Sequence, residues 1–217
     1  MDITQFTPSS ALLTVVLLAL APFVAVMVTS FTKLVVVLSL LRNALGVQQV
    51  PPNVVLNGIA LVLSLYVMYP VGTEMSTRVH GMDGIGNSTK SMLQAADSAK
   101  EPLREFLVKH SRPLERAFFM KTAQKALKPE QAAGLTDRDF IVVVPAFTVS
   151  ELSVAFEIGF LIFLPFLVID LVISNVLMAM GMMMLSPTTV SMPFKLLLFV
   201  LIDGWVKLTH GLILTYV

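Results

Sequence analysis

There is no cysteine in the 217 residues, only three histidines and one tryptophan, and charged side chains make up 13% of the chain. Without cysteine, disulfide frameworks and thiolate chemistry are excluded, while the redox compartment stays open. The scarcity of charge says more. Soluble chains carry about 25% charged and about 45–50% apolar residues, whereas hydrophobic residues here reach 56%. Such a chain has too little polar surface to cover itself in water, so it reads as a membrane protein or as a subunit buried in an assembly. The net charge of +1 comes without a basic tail or stripe, which excludes the usual nucleic-acid footprint. The opening "MDITQFTPSS" has Asp2 and no Lys or Arg. A secretory signal needs a positive n-region, so the first apolar block is expected to be retained.

Apolar blocks fall at about 11–41, 53–72, 149–185 and 192–217. A span needs roughly 20 apolar residues, so the expected class is all-α: membrane-associated helical hairpins with an inserted, mainly helical soluble subdomain. The divisions are 1–72, N-terminal hydrophobic helices; 73–139, the polar insert; and 140–217, C-terminal hydrophobic hairpins. The insert holds 11 of the 15 basic and 9 of the 14 acidic residues. Within it, Gly81 and Gly86 have P-loop spacing, but Asn87 and Ser88 stand where Lys and Ser/Thr are needed, which argues against a nucleotide site. Ser98 with Glu101, and Thr148 with Glu151, fit capping boxes. The latter places the third apolar helix start near Thr148, after a short β-branched run "FIVVVP". Ser111 and Pro113 mark another helix start, and Phe106, Phe118 and Phe119 give this region an apolar face. Pro22 and Pro165 are expected to kink or interrupt their helices.

The blocks are not clean spans. Lys33 lies in the first, Glu157 and Asp170 in the third, and Lys195, Asp203, Lys207 and His210 in the fourth. A charge at a bilayer centre costs about 2.5–3.5 kcal/mol, against a gain of about 0.3–0.6 for each large aliphatic residue. Block four barely breaks even as a lone lipid-facing helix; burial against protein or a water-filled path is cheaper, and Lys207 and His210 can also snorkel. Pro193 suits a first helical turn, which sets Lys195 against the helix dipole and in need of a partner. Asp170 is the candidate. With a turn near "SPTTVSMP", however, the two sit at different heights in a simple hairpin, so pairing requires an asymmetric hairpin or a second subunit. A structural ion pair and a role in proton coupling or gating both remain open.

Five of the seven residues from Met178 to Met184 are methionine. Met stripes usually fill cores, but the unbranched, polarizable thioether also suits surfaces that must adapt to varied partners.

Three long stretches, "TSFTKLVVVLSLLRNALGVQQVPPNVVLNGIAL" (29–61), "PAFTVSELSVAFEIGFLIFLPFLVIDLVISNVLMAMGMMMLSP" (145–187) and "PFKLLLFVLIDGW" (193–205), resemble the FliP/SctR family of type III secretion export-gate proteins, the injectisome SctR branch more than the flagellar one. The resemblance implies a core channel-forming subunit of the export apparatus in the bacterial inner membrane, raised toward the periplasm on assembly. It implies five copies in a helical ring with SctS-like and SctT-like subunits, enclosing the path of unfolded secreted proteins. It also implies a Met-rich gasket at the constriction, mapped onto Met182, Met183 and Met184, with Met178 and Met180 on the approaching helix, Gly181 allowing the turn and Pro187 ending the helix. No cofactor, metal or catalysis is implied.

The alternative is a small-solute or proton transporter using the intramembrane Asp and Lys residues, although repeats and clustered ligands typical of transporters are missing. A purely structural scaffold is a third reading. An enzyme is disfavoured: no HExxH, nucleophile elbow or His/Asp/Glu cluster at ligand spacing occurs, and His80, His110 and His210 are far apart. Arg42 after block one favours a cytoplasmic loop there, which would set the termini and the 73–139 insert on the periplasmic side.

Overall fold

The computed structural model describes residues 8–47, 49–80, 89–182 and 184–217. Among the described residues it is all helical: α1 (Pro8–Met27), α2 (Phe31–Ala44), α3 (Asn53–His80), α4 (Thr89–His110), α5 (Pro113–Ala126), the single turn α6 (Pro129–Ala132), α7 (Phe140–Ala179), α8 (Pro187–Leu201) and α9 (Gly204–Leu214). Helices α3 and α7 are each long and apolar enough to cross a membrane, and the bent pairs α1–α2 and α8–α9 reach that standard only as pairs. The glycine pair Gly81 and Gly86, with Asn87 and Ser88, lies outside the described residues.

The 40-residue α7 is the spine, with α2 lying along it. One core joins Leu34, Leu38, Leu56, Ala60, Ala155 and Leu212 from α2, α3, α7 and α9. A second packs Leu41, Leu45, Phe166 and Phe199. A third joins the polar insert to α7 through Phe106, Leu107, Val143 and Phe147. The α2–α7 approach is close because Gly159 has no side chain. A Cβ built there would stand 2.2 Å from Leu40 Cδ1 and 3.1 Å from Leu40 Cβ. Small residues at such crossings let apolar helices meet backbone to backbone.

Several helix boundaries differ from the sequence reading. Helix α7 begins at Phe140, not near Thr148, and includes "FIVVVP". The β-branched preference of that run is overruled by burial: Val142, Val143, Ala146 and Phe147 are fully enclosed. Thr148 is therefore no cap; inside the helix, its hydroxyl donates to the Val144 carbonyl at 2.9 Å. Ser98 is likewise internal to α4, and Glu101 accepts instead from Arg104 and from Arg138 at 3.1 Å. Pro165 does not interrupt α7. The fourth block starts earlier than Pro193: Pro187 occupies the first turn of α8 after an extended Ser186, as its fixed φ favours. Pro187 thus opens a helix rather than ending one, and Lys195 lies mid-helix, clear of the unfavourable dipole end. At the end of α8 the chain bends by 62°, with Asp203 in the left-handed region at φ 53°.

In the insert, Arg116 turns back to satisfy the end of α4. One guanidinium nitrogen donates to the carbonyls of Val108 and Ser111, both at 2.9 Å. Phe106 is buried as part of the α4–α7 interface, whereas Phe118 is exposed and meets Phe119 edge to face, 5.3 Å between centroids. His110 lies against the rings of Phe106 and Tyr216, 4.6 and 5.0 Å between centroids. Burial, followed by the positive charges of Lys109 and Lys33, pushes its pKa down to about 4.

Two predictions follow from these contacts. Gly159→Ala should destabilise the chain by about 1–3 kcal/mol through overpacking, visible as a lower thermal midpoint in detergent, because the Leu40 Cβ cannot swing aside. Between its usual pKa near 6.5 and about 4, His110 takes a proton in the unfolded chain but not in the folded one, so folding stability should fall as pH drops through that window and level off below it. Thermal midpoints measured from pH 7 to pH 4 should show a shallower fall in His110→Gln than in the parent.

Candidate functional site: a methionine turn above a buried ion pair

Helix α7 ends in a capped turn. Gly181 adopts φ 73°, its N–H reaches the Met178 carbonyl at 3.0 Å, and the Met182 N–H reaches the Leu177 carbonyl at 3.0 Å. This crossed pair of bonds is a Schellman motif, which satisfies the last carbonyls of the helix and reverses the chain; its left-handed residue is usually glycine for lack of a Cβ. The turn is thus a defined structure carrying methionine. Met178 and Met180 are 59% and 60% exposed, Met182 is 41% exposed, and Met184 is in full contact with solvent. None of these four thioethers fills the core of the chain. Met183 lies outside the described residues.

Below the turn, α7 and α8 are riveted by charge. Asp170 is nine residues before the end of α7, and Lys195 eight after the start of α8, so the two stand at the same height in one hairpin. Lys195 Nζ lies 2.6 Å from Asp170 Oδ2 and donates to the Ala44 carbonyl of α2 at 3.2 Å. The other carboxylate oxygen accepts from the Ser191 hydroxyl at 2.5 Å. Lys195 and Ser191 are buried, and every oxygen of Asp170 has a donor. The expected mismatch in height disappears because α8 begins at Pro187.

The other charged positions divide. Lys33 is buried and pairs with Glu151 at 3.4 Å, each side chain 3% exposed. The Tyr216 hydroxyl donates to the second Glu151 oxygen, and the Lys33 ammonium sits 3.6 Å from the centre of the Tyr216 ring. Glu157 and Asp203, by contrast, face outward in this chain. Glu157 pairs with Arg112 at 2.6 Å, and Asp203 occupies the bend before α9. Ser191 and Tyr216 were not singled out from sequence, and Glu151 only as a capping residue. Treating Glu151 as half of a capping box concealed the one signal available, a carboxylate isolated in an apolar run. Among the described residues, no group of three or more His, Asp or Glu is placed to hold a metal ion.

These features can be set beside known proteins. The model of the FliP family matches residues 12–212. The chain is 54% identical over 210 residues to the "Hypersensitivity response secretion protein HrcR" of Ralstonia nicotianae, covering 96% of this chain and 97% of that protein. It is 54% identical over 201 residues to the "Yop proteins translocation protein R" of Yersinia pestis, 92% of each. It is also similar to the "Flagellar biosynthetic protein FliP" of Bacillus subtilis, at 43% over 205 residues, 94% of this chain and 90% of the relative. With the match running from α1 into α9, and so across both ion pairs and the methionine turn, the chain belongs to the FliP family.

Proposed function

We propose that this chain is a channel-forming subunit of a type III secretion export apparatus, in the bacterial inner membrane, and that its methionine turn closes the path taken by unfolded secreted proteins. The observation that carries this reading is the exposure of Met178, Met180, Met182 and Met184 at and just beyond the glycine-capped end of α7, the longest helix. Side chains that fill no space within their own chain are free to fill a central hole when several copies bring their tips together. Methionine suits that task because its flexible thioether can close on itself and then deform around passing chains of any sequence. Relatives named for secretion, translocation and flagellar biosynthesis support the assignment.

The bare surface supports an assembly. Apolar residues stay exposed along α3 (Val54, Val62, Leu65, Tyr69) and α7 (Phe160, Leu161, Val168, Leu171), well beyond the scattered pattern of a soluble monomer. We read these faces as contacts with other copies of the chain, with SctS-like and SctT-like subunits and with lipid. Glu157 and Asp203, outward on the single chain, then become polar contacts at such interfaces. The transporter reading gains nothing from the geometry: Asp170 and Lys195 are already bonded to each other and to neutral partners. They act as a fastening of α8 to α7 and α2.

The triple substitution Met182→Ala, Met183→Ala and Met184→Ala should leave abundance and assembly near normal, because Met182 and Met184 lack the enclosure that makes a buried Met→Ala cost about 2–5 kcal/mol. The assembled system should nevertheless leak ions or small dyes when idle, and leucine should substitute better than alanine. A tight, normally assembled triple alanine variant would sink the gasket reading. For the fastening, Asp170→Asn or Lys195→Met alone should lower assembly and secretion, since each leaves the other side chain without its charged partner, the loss being larger when the buried Lys195 is the one left unpaired. The exchange Asp170→Lys with Lys195→Asp should recover part of the loss; simply additive effects in secretion assays would show that the two residues are not coupled.

A further inference from the structure

The polar centre Lys33–Glu151–Tyr216 is not used by the proposed channel, and its position is unusual. Helix α9 leaves α8 at a 62° bend, and its later part re-enters the molecule. Leu212 joins the core shared by α2, α3 and α7, and Tyr216 joins the core shared by α4 and α7. The five residues from Leu212 to Tyr216 therefore stitch the hydrophobic helices to the polar insert. At the far end of the stitch, Tyr216 touches three elements. Its hydroxyl donates to Glu151 of α7, its ring carries the Lys33 ammonium of α2, and its other neighbours are Phe106 and His110 of α4, at 6.0 and 5.0 Å between centroids.

The chemistry of the centre explains why tyrosine stands there. The Glu151 carboxylate is enclosed, and a buried carboxylate needs a donor for each oxygen. Lys33 supplies one and the Tyr216 hydroxyl the other. Phenylalanine would fill the same volume and keep the face for Lys33, but would leave one carboxylate oxygen without a donor. A disengaged Tyr216 exposes that oxygen's need at once, so the segment after α9 is held by a penalty on leaving as well as by its own apolar contacts. Ile213, Tyr216 and Val217 line a 460 Å³ cleft against α3 and α4, so this segment meets the insert through apolar and aromatic contacts while its polar bond goes to Glu151 of α7.

We propose that Tyr216 is a latch: through the Lys33–Glu151 pair it holds the α9 end of the α8–α9 arm against α2, α4 and α7, and so fixes the arm relative to the polar insert. The arm also bears Lys195, fastened to α7 near the methionine turn. Two polar fastenings thus hold it, one near each end, and the hinge at Asp203 lies between them.

Hydrogen exchange on the full-length chain, purified in detergent or nanodiscs, tests the latch. Tyr216→Phe should raise exchange across 208–217 by about tenfold or more, the scale expected when a buried acceptor loses its donor. The α7–α8 turn should keep its protection. In a Lys33→Met, Glu151→Leu background, where neither the charges nor the acceptor remain, the same Tyr216→Phe change should have little effect. Equal effects in both backgrounds, or none in either, would overturn the proposal. If the double background does not accumulate, the single variant still decides by location: faster exchange confined to 208–217 supports the latch, and uniform or unchanged exchange contradicts it.

Discussion

Helix α7 carries more apolar surface than one chain can cover, and the rest of the molecule is arranged around that constraint. Forty residues make a rod of about 60 Å, and α2, α4, α5 and α8 each cover only part of it. Two of these contacts are pinned by an acid on α7 and a lysine from elsewhere: the enclosed Glu151 with Lys33 of α2, and the partly buried Asp170 with Lys195 of α8. Apolar contacts are non-directional and would tolerate sliding. Buried ion pairs add little net stability, but they penalise every register except the one in which they meet.

That division of labour links the fold to the proposed function. A hairpin whose register is fixed by Asp170 and Lys195 can present its tip at a set height. The Schellman turn then gives the tip a set shape, so several copies can bring their methionines to one level. In the proposed assembly, the uncovered faces of α3 and α7 are the surface through which copies and partner subunits meet.

Much of the fold was legible because apolar length is a strong signal: among the described residues the apolar blocks are mainly helical, and so is the polar insert. The boundaries were less legible, for reasons particular residues show. The run "FIVVVP" has strand-like composition, and its burial in the core shared with α4 makes it helix. Pro187 and Pro193 both suit a first helical turn, and the six-residue difference between them decided whether Asp170 and Lys195 could meet in one hairpin. At the site, the methionine cluster was visible in composition alone, whereas its glycine-capped geometry was not. Charges inside apolar blocks signalled something unusual without saying which would be buried: Lys33 and Lys195 are, while Glu157 and Asp203 lie on the outward side of their elements. Tyr216 gave no signal, since a tyrosine after an apolar helix has no periodic or charge pattern to mark it.

The central claim, that the methionine turn lines a path for exported chains, is tested most directly by a photo-reactive residue at position 184 in cells whose secretion system is jammed by a slowly unfolding substrate. Met184 is the most exposed thioether among the described residues of the turn. The account predicts adducts to the trapped polypeptide in jammed cells, and to other copies of this chain in idle ones. Adducts to lipid alone, the same in both conditions, would place the turn outside any conduit and contradict it.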